Sequence, residues 1–263
     1  MMELPEGRTL RIYVATVVGL GACMGVAAAA IGRGSNDSLL LLSLVLAGAV
    51  SERFKVSLFG DSHVSSSAIL TMVAAVVGGP RDAVIVAALL GAAVNLGGIV
   101  PAYKTAFNVS VYVLTSLAFL GAFDALSHGT FASGYYELVP ATVAVVADFA
   151  LNALLVAVAI GMASNQSPLR VVRSQHLWLI PHYLPLGALV FVALAGYEAI
   201  GVPIIAVLAL PVAGLQLTAL LYSSLKRSYV ARTDDLEQRL NTVNAELARL
   251  QELDNGRASQ PAA

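Results

Sequence analysis

The chain has 263 residues, of which 58% are hydrophobic and only 12% are charged. A water-soluble domain carries roughly 25% charged residues, so this composition leaves too little charge to cover a surface that faces water. The formal net charge is −1, and the Lys and Arg residues stand in small groups between apolar runs, which excludes a basic nucleic-acid-binding face. The sequence therefore predicts an integral membrane protein whose main partner is the lipid bilayer, with no nucleic acid.

Eight apolar runs are candidates for membrane-spanning helices, because a helix needs about 20 mostly apolar residues to cross the hydrocarbon core. The first run follows Arg8 and Arg11 and is longer than the ~7–15 residues of a signal-peptide core, so we interpret it as a retained helix. The expected fold is all-α, a polytopic membrane helical bundle over residues 1–225. The eight runs are Ile12–Gly32, Ser38–Phe59, Val64–Gly79, Asp82–Val100, Thr105–Leu126, Leu138–Ala163, Leu177–Ala199 and Val202–Leu225.

The junction of the second and third runs is more polar than the rest. The second run is strongly apolar only from Leu39 to Val50, and the third begins in the Ser-rich stretch from Asp61 to Ser67. Non-helical backbone survives at membrane depth only where protein or a wet cavity satisfies its polar groups. Residues 51–67 are therefore either an ordinary loop, which we favour, or the lip of a cavity.

The distribution of Lys and Arg indicates the orientation, because short cytoplasmic loops are enriched in both. With eight spans and both termini in the cytoplasm, the outer segments contain only Arg33 and Arg81, and the loop from Asp124 to Glu137 contains neither residue type. An odd number of spans would reverse every later loop and destroy this asymmetry. The nine inner residues are Arg8, Arg11, Arg53, Lys55, Lys104, Arg170, Arg173, Lys226 and Arg227.

A heptad pattern follows the last apolar run. From Leu236 to Leu250 the apolar spacings alternate between four and three residues, which is typical of a coiled coil. We expect a cytoplasmic coiled-coil helix over 226–254 that forms a homodimer, and a disordered tail over 255–263. The alternative is a solvated amphipathic helix that docks elsewhere. The predicted seam consists of Tyr229, Leu236, Leu240, Val243, Leu247 and Leu250.

Five polar residues inside the predicted spans are candidates for ligand contact. An ionisable group at bilayer depth costs at least ~2.5–3.5 kcal/mol, so Asp148 should face the bundle interior. With Asn152 one turn later, it can bind a cation, accept a proton or hold a polar ligand. The alternative for all five is structural hydrogen bonding between helices. The candidates are Asp148, Asn152, Asn108, Tyr112 and Asn95.

Asp61 and His63 are candidates in the polar loop, because a histidine beside an acid can sense pH or bind metal. Two such residues are weak evidence, and a solvated loop histidine is the alternative we favour. No phosphate-binding glycine loop, nucleophile motif or His–Glu metal motif is present in the sequence. We therefore expect no metal site, no cofactor and no enzymatic activity.

Several short motifs occur in an order that resembles the MASE-type membrane sensor regions of bacterial HD-GYP and GGDEF signalling proteins. They include the Ser-rich run before the third span and the heptads that begin after the basic residues Lys226 and Arg227. The others are Gly78-Gly79-Pro80, Ala106-Phe107-Asn108, Asn152-Ala153-Leu154-Leu155 and Pro211. The resemblance implies a sensor in the bacterial inner membrane that passes a signal to a cytoplasmic output domain. No output domain follows the heptads here. The expected chain is therefore a stand-alone sensor that acts on a separate cytoplasmic protein, a truncated gene product, or a membrane anchor that dimerises.

Two functions are consistent with these features. The first is a non-enzymatic signal-sensing or scaffolding module that communicates through its coiled coil. The second is a small-molecule transporter or substrate-binding membrane subunit, with a polar pocket between its helices.

Overall fold

A computed structural model describes most of the predicted bundle and part of the C-terminal region. Within the bundle it covers residues 7–35, 37–53, 56–59, 62–64, 67–95, 100–130, 137–177 and 180–208. Of the C-terminal part it covers 213–214, 217, 221, 224–225, 228–229 and 231–244. Residues up to Gln216 form one compact unit, and those from Leu217 onward form a second.

The first unit is helical apart from one short hairpin. Its elements in chain order are α1 (Arg8–Ile31), α2 (Ser38–Arg53), β1 (Val56–Phe59), β2 (Ser62–Val64), α3 (Ser67–Val73), α4 (Pro80–Ala93), α5 (Ala102–Thr130), α6 (Leu138–Ser164), α7 (Pro168–Val171) and α8 (Ile180–Ile200). Helix α3 continues as a π-helical turn over Ala74–Gly78, and α7 continues as another over Val172–His176.

Four helices are long and apolar enough to cross a membrane, namely Arg8–Ile31, Ala102–Ser127, Leu138–Ser164 and Tyr183–Ile200. They fit the prediction of a helical membrane protein. Other helices of the described chain are shorter: α2 has 16 residues and α4 has 14. The count of eight crossings stays a prediction.

The bundle is organised around α5, which packs against α1, α4 and α6, while α8 packs against α6 and α3. The main core lies among α2 to α6 and α8, with Phe119, Leu44 and Met72 completely buried. Helix α1 covers one side of α5 through a separate apolar cluster. Most of the α1 surface is exposed, as expected for a helix whose outer face meets lipid.

Glycines allow the helices to approach α5 closely, as small residues do in membrane bundles. A Cβ added at Gly21 of α1 would lie 2.8 Å from the Cα of Ser110, and one added at Gly91 of α4 would lie 2.8 Å from the Cα of Val109. Any larger residue would therefore force the helix backbones apart.

The junction over residues 51–67 differs from a simple loop. Helix α2 continues to Arg53 and is followed by an antiparallel hairpin, in which Val56 pairs with Val64 and Ser57 with His63. Helix α3 begins only at Ser67. The predicted second span therefore ends earlier than Phe59, and the third begins later than Val64.

In the second unit, residues 231–244 are helical. The predicted seam residues there lie on this helix with large exposed fractions, which are 59% for Leu236, 60% for Leu240 and 52% for Val243. Tyr229 is also exposed. Leu247 and Leu250 lie outside the described residues. The i,i+4 ion pair of Arg239 with Asp235, at 3.0 Å, is on the solvent-facing side of the same helix.

Candidate functional site

Asp148 lies in the core of the bundle, as its position in the sequence predicts. It is on α6, where that helix packs against α5 and α8, and only 4% of it is exposed. The hydroxyl of Thr115 on α5 is its hydrogen-bonding neighbour. The same hydroxyl lies 3.3 Å from the backbone carbonyl of Tyr112. The described hydrogen-bonding partner of this carboxyl is therefore a neutral hydroxyl.

A second buried carboxyl belongs to Glu52, in the last turn of α2, which is also 4% exposed. The hydroxyl of Ser67, the first residue of α3, donates a hydrogen bond to Glu52 Oε1. The Tyr112 hydroxyl of α5 donates to the same oxygen at 3.2 Å and lies 3.3 Å from the Ser67 hydroxyl. Three helices thus meet at one carboxylate oxygen.

Tyr183 on α8 connects the two carboxyls. Its side chain is near enough to both Tyr112 and Asp148 to interact with them electrostatically, and it is within hydrogen-bonding reach of Asn152. The ring of Phe149 packs against it, with the ring centroids 4.6 Å apart. We call the seven connected side chains the core polar network. Its members are Glu52, Ser67, Tyr112, Thr115, Asp148, Asn152 and Tyr183.

The charges of this network are not balanced by described basic groups. The described Lys and Arg side chains are all exposed, and the single buried basic side chain among the described residues is His176. The side chain of Arg53, next to Glu52 in the chain, lies outside the described residues. Two carboxyls therefore share a core in which the described partners are neutral.

Three of the five predicted site residues, Asp148, Asn152 and Tyr112, come together in the network. The other two do not join it within the described chain. Asn95 donates a hydrogen bond to the Thr105 hydroxyl at 2.9 Å, at the ends of α4 and α5. Asn108 is half-buried, and its backbone carbonyl faces Gly91. Of the five residues predicted to line one polar pocket, three are therefore close together and two lie elsewhere, and the pocket itself stays a prediction.

The side chains of the two loop candidates lie outside the described residues. Asp61 lies outside the described residues, and only the backbone of His63, in β2, is described. Among the described residues, no group of three or more His, Cys, Asp or Glu side chains is arranged to hold a metal ion.

Glu52, Ser67 and Tyr183 were not predicted as site residues. Leu40, Leu44 and Glu52 recur at multiples of four along α2, and both leucines are completely buried, so Glu52 lies on the face that meets the core. That spacing is readable from the sequence once the helix is extended past Val50. Tyr183 precedes the buried Leu186 and Val190 of α8 by three and seven residues, which is also a single helix face.

Two further carboxyls hold the ends of helices. Asp82, in the first turn of α4, accepts hydrogen bonds from the backbone N–H and the hydroxyl of Ser35, at 2.8 and 2.6 Å. Asp37 accepts from the backbone N–H groups of Leu39 and Leu40, at 3.0 and 3.1 Å, and so caps α2. These contacts fix the turns that precede α2 and α4.

His176 lies in the π-helical turn after α7, outside the four long apolar helices. Its Nδ1 atom is buried without a hydrogen-bond partner among the described residues. Burial lowers the pKa of this imidazole, and a hydrogen bond to the backbone of Val171 opposes that effect. Burial therefore disfavours the charged imidazolium at this position.

No protein-family model, curated protein or solved structure matches this chain in the three comparisons.

Proposed function

We propose that the chain is a non-enzymatic signal-sensing or scaffolding module of the inner membrane that communicates through a cytoplasmic coiled coil. The observation that carries this proposal is the exposed apolar stripe of Leu236, Leu240 and Val243 on the helix over 231–244. Burying a leucine or valine side chain stabilises a protein by roughly 1.5–3 kcal/mol, so two such helices gain by associating along this stripe. Homodimerisation is therefore the simplest use of the helix.

The predicted grouping of the loops on two sides of the membrane is supported by contacts between segments that the charge distribution assigns to the same side. The backbone N–H of Arg81 donates to the carbonyl of Arg33 at 3.1 Å, and both belong to predicted outer segments. The Tyr197 hydroxyl donates to Asp37 at 3.3 Å, again joining two outer ends. The number of crossings stays even whether α2 and α3 cross completely or turn back inside the bundle.

The core polar network is the part of the bundle that we expect to respond to a signal. Its members come from α2, α3, α5, α6 and α8, so a change in its charge or occupancy acts on five helices at once. Such a change alters helix packing, because packed cores switch between discrete arrangements. In this proposal the coiled coil passes the change to a separate cytoplasmic output protein.

Cysteine crosslinking in native membranes tests the coiled coil. The single native cysteine, Cys23, is exposed and must first be replaced by alanine. In that background Leu240→Cys, at the seam, should form disulfide-linked dimers. Gln238→Cys, at the opposite heptad position of the same helix, is the matched control and should crosslink much less. Equal crosslinking at both positions, or a monomer in both cases, would refute the coiled-coil dimer.

The alternative function is a small-molecule transporter or substrate-binding membrane subunit. It is favoured by the same core network, since a polar pocket between discontinuous helices is the usual place for a transported solute. Truncation after Lys226 separates the two functions in cells. If the truncated chain inserts normally into the membrane but no longer restores the phenotype of cells that lack the protein, signalling is supported. If it still restores that phenotype, transport is supported.

A further inference from the structure

The short helices α2 and α3 place Glu52 below the surface of the bundle. At a rise of 1.5 Å per residue, the 16 residues of α2 extend about 24 Å from its cap at Asp37, which is less than the ~30 Å hydrocarbon core. Glu52 contacts Tyr112, which lies about 15 Å along α5 from Ala102. The last turn of α2 and the first of α3 therefore meet beside the middle of a longer helix.

This position is electrostatically unfavourable for a carboxylate alone. The C-terminal end of a helix carries the negative end of its dipole and leaves backbone carbonyls without intrahelical donors. Glu52 adds a carboxyl to that end, 4% exposed, and its described partners are two neutral hydroxyls. A positive charge at this point is stabilised by the carboxylate and by the helix end together.

The available ligands are all oxygen atoms. They are the Glu52 carboxylate and the hydroxyls of Ser67 and Tyr112. A further hydroxyl, that of Ser116, lies one turn beyond Tyr112 on α5, completely buried and without a hydrogen-bond partner among the described residues. Carboxylates and half-helix C-terminal ends that meet inside a membrane bundle are a recurring arrangement for Na⁺ and H⁺.

We propose that Glu52, Ser67 and Tyr112 form a binding site for a monovalent cation, either Na⁺ or a proton. Occupancy of the site is communicated to Asp148 through Tyr112 and Tyr183. Among the described side chains, the titratable groups around the site are Tyr112 on α5, Tyr183 on α8 and Asp148 on α6, while α3 contributes the Ser67 hydroxyl. The cation site is independent of the proposed coiled coil. Cation binding to the purified chain can be measured whether or not the C-terminal helix dimerises.

Two measurements on the purified full-length protein in nanodiscs distinguish the two cations. The first is binding of ²²Na⁺ in a choline buffer. The second is infrared spectroscopy of the protonated carboxyl band in sodium-free buffer at neutral pH. Each is made on the unmodified chain, on Glu52→Gln and on Glu237→Gln, which removes an exposed acid of the C-terminal helix and is the matched control.

Saturable ²²Na⁺ binding that Glu52→Gln abolishes and Glu237→Gln preserves identifies a sodium site. No ²²Na⁺ binding, together with a protonated carboxyl band that only Glu52→Gln removes, identifies a proton site. If Glu52 is ionised and ²²Na⁺ does not bind, the proposal is wrong and a basic side chain neutralises Glu52. Arg53→Gln tests whether Arg53 is that partner. If it is, loss of the arginine charge leaves Glu52 without a counter-charge, and Glu52 becomes protonated in the variant.

A second pair of variants keeps the test valid if Glu52→Gln does not fold. Tyr112→Phe and Ser67→Ala each remove one hydroxyl ligand and leave the carboxyl in place. Loss of one hydrogen bond to a charged group should weaken ²²Na⁺ binding about tenfold, or shift the protonated carboxyl band if the cation is a proton. Unchanged ²²Na⁺ binding and an unchanged carboxyl band in both variants would overturn the proposed site of Glu52, Ser67 and Tyr112.

Discussion

Asp82 and Glu52 are both almost completely buried, yet their partners and positions are opposite. Asp82 lies in the first turn of α4, where the helix dipole favours a negative charge, and a backbone N–H and a hydroxyl donate to it. Glu52 lies in the last turn of α2, where the dipole disfavours that charge, and its donors among the described residues are side-chain hydroxyls.

The difference separates a fixed carboxylate from one that can exchange its charge. A backbone N–H donates and never accepts, so the Ser35 N–H pairs only with an oxygen that carries no proton. A hydroxyl both donates and accepts, so the Glu52 and Asp148 sites accommodate a carboxylate, a carboxylic acid or a bound cation. We therefore assign the carboxyls at the helix ends to structure, and those of the core polar network to function.

The largest effect on the free energy of unfolding is expected at Asp82. Asp82→Asn keeps an oxygen that can accept from Ser35 but removes the negative charge, which the N-terminal end of α4 stabilises and which strengthens both hydrogen bonds. We expect a loss of about 2 kcal/mol in the free energy of unfolding, measured in mixed detergent micelles. Glu237→Gln, at an exposed acid, should leave stability unchanged. Full stability of Asp82→Asn would show that this carboxylate is not a structural anchor.

A smaller loss is expected at the cap of α2. Asp37→Ala removes the acceptor of the Leu39 and Leu40 backbone N–H groups and of the Tyr197 hydroxyl. The expected cost is about 1 kcal/mol, typical of an N-cap. Tyr197→Phe removes only the third contact and should cost less. If Tyr197→Phe proves as damaging as Asp37→Ala, the contact with α8 outweighs the cap.

His176 provides a pH-dependent comparison within the same molecule. Burial lowers its folded-state pKa, so the folded chain binds this proton less readily than the unfolded chain. Its contribution to stability is therefore present above the unfolded pKa of about 6.5 and is lost as the pH falls from there through the folded pKa. Unfolding measured across this range should become less pH-dependent in His176→Gln. The same pH dependence in both proteins would exclude this histidine as its source.

The smallest effect on stability is expected in the core network. Glu52→Gln keeps an oxygen that accepts from Ser67 and Tyr112 and removes the cost of burying a charge. We expect stability within about 0.5 kcal/mol of the unmodified chain, or above it, because buried charges are often replaced without loss. The two carboxyls are then distinguished by the difference between the losses of unfolding free energy in Glu52→Gln and in Asp82→Asn. A loss as large as that of Asp82→Asn would place Glu52 among the structural carboxylates.

Composition and periodicity were sufficient for the class of protein and for much of its core. The apolar runs predict the long helices, and burial of Asp148 follows from the cost of a charge in lipid. The end of α2 was harder to predict, because Ser51-Glu52-Arg53 has the composition of a loop while the helix continues through it. Contacts between distant helices, such as Glu52 with Tyr112, depend on tertiary packing that no local pattern encodes. For the same reason Asn95 and Asn108 were grouped with Asp148, although Asn95 pairs with Thr105 instead.

A double-mutant cycle tests most directly whether the two core carboxyls form one network. The free energy of unfolding is measured for Glu52→Gln, Asp148→Asn and the double variant, and the cycle is repeated with Asp82→Asn in place of Asp148→Asn. We predict a coupling energy of about 0.5–3 kcal/mol for the core pair, and additivity within about 0.5 kcal/mol for the pair that includes Asp82. Additive effects in the core pair, or equal coupling in both cycles, would contradict the division between fixed and exchangeable carboxyls.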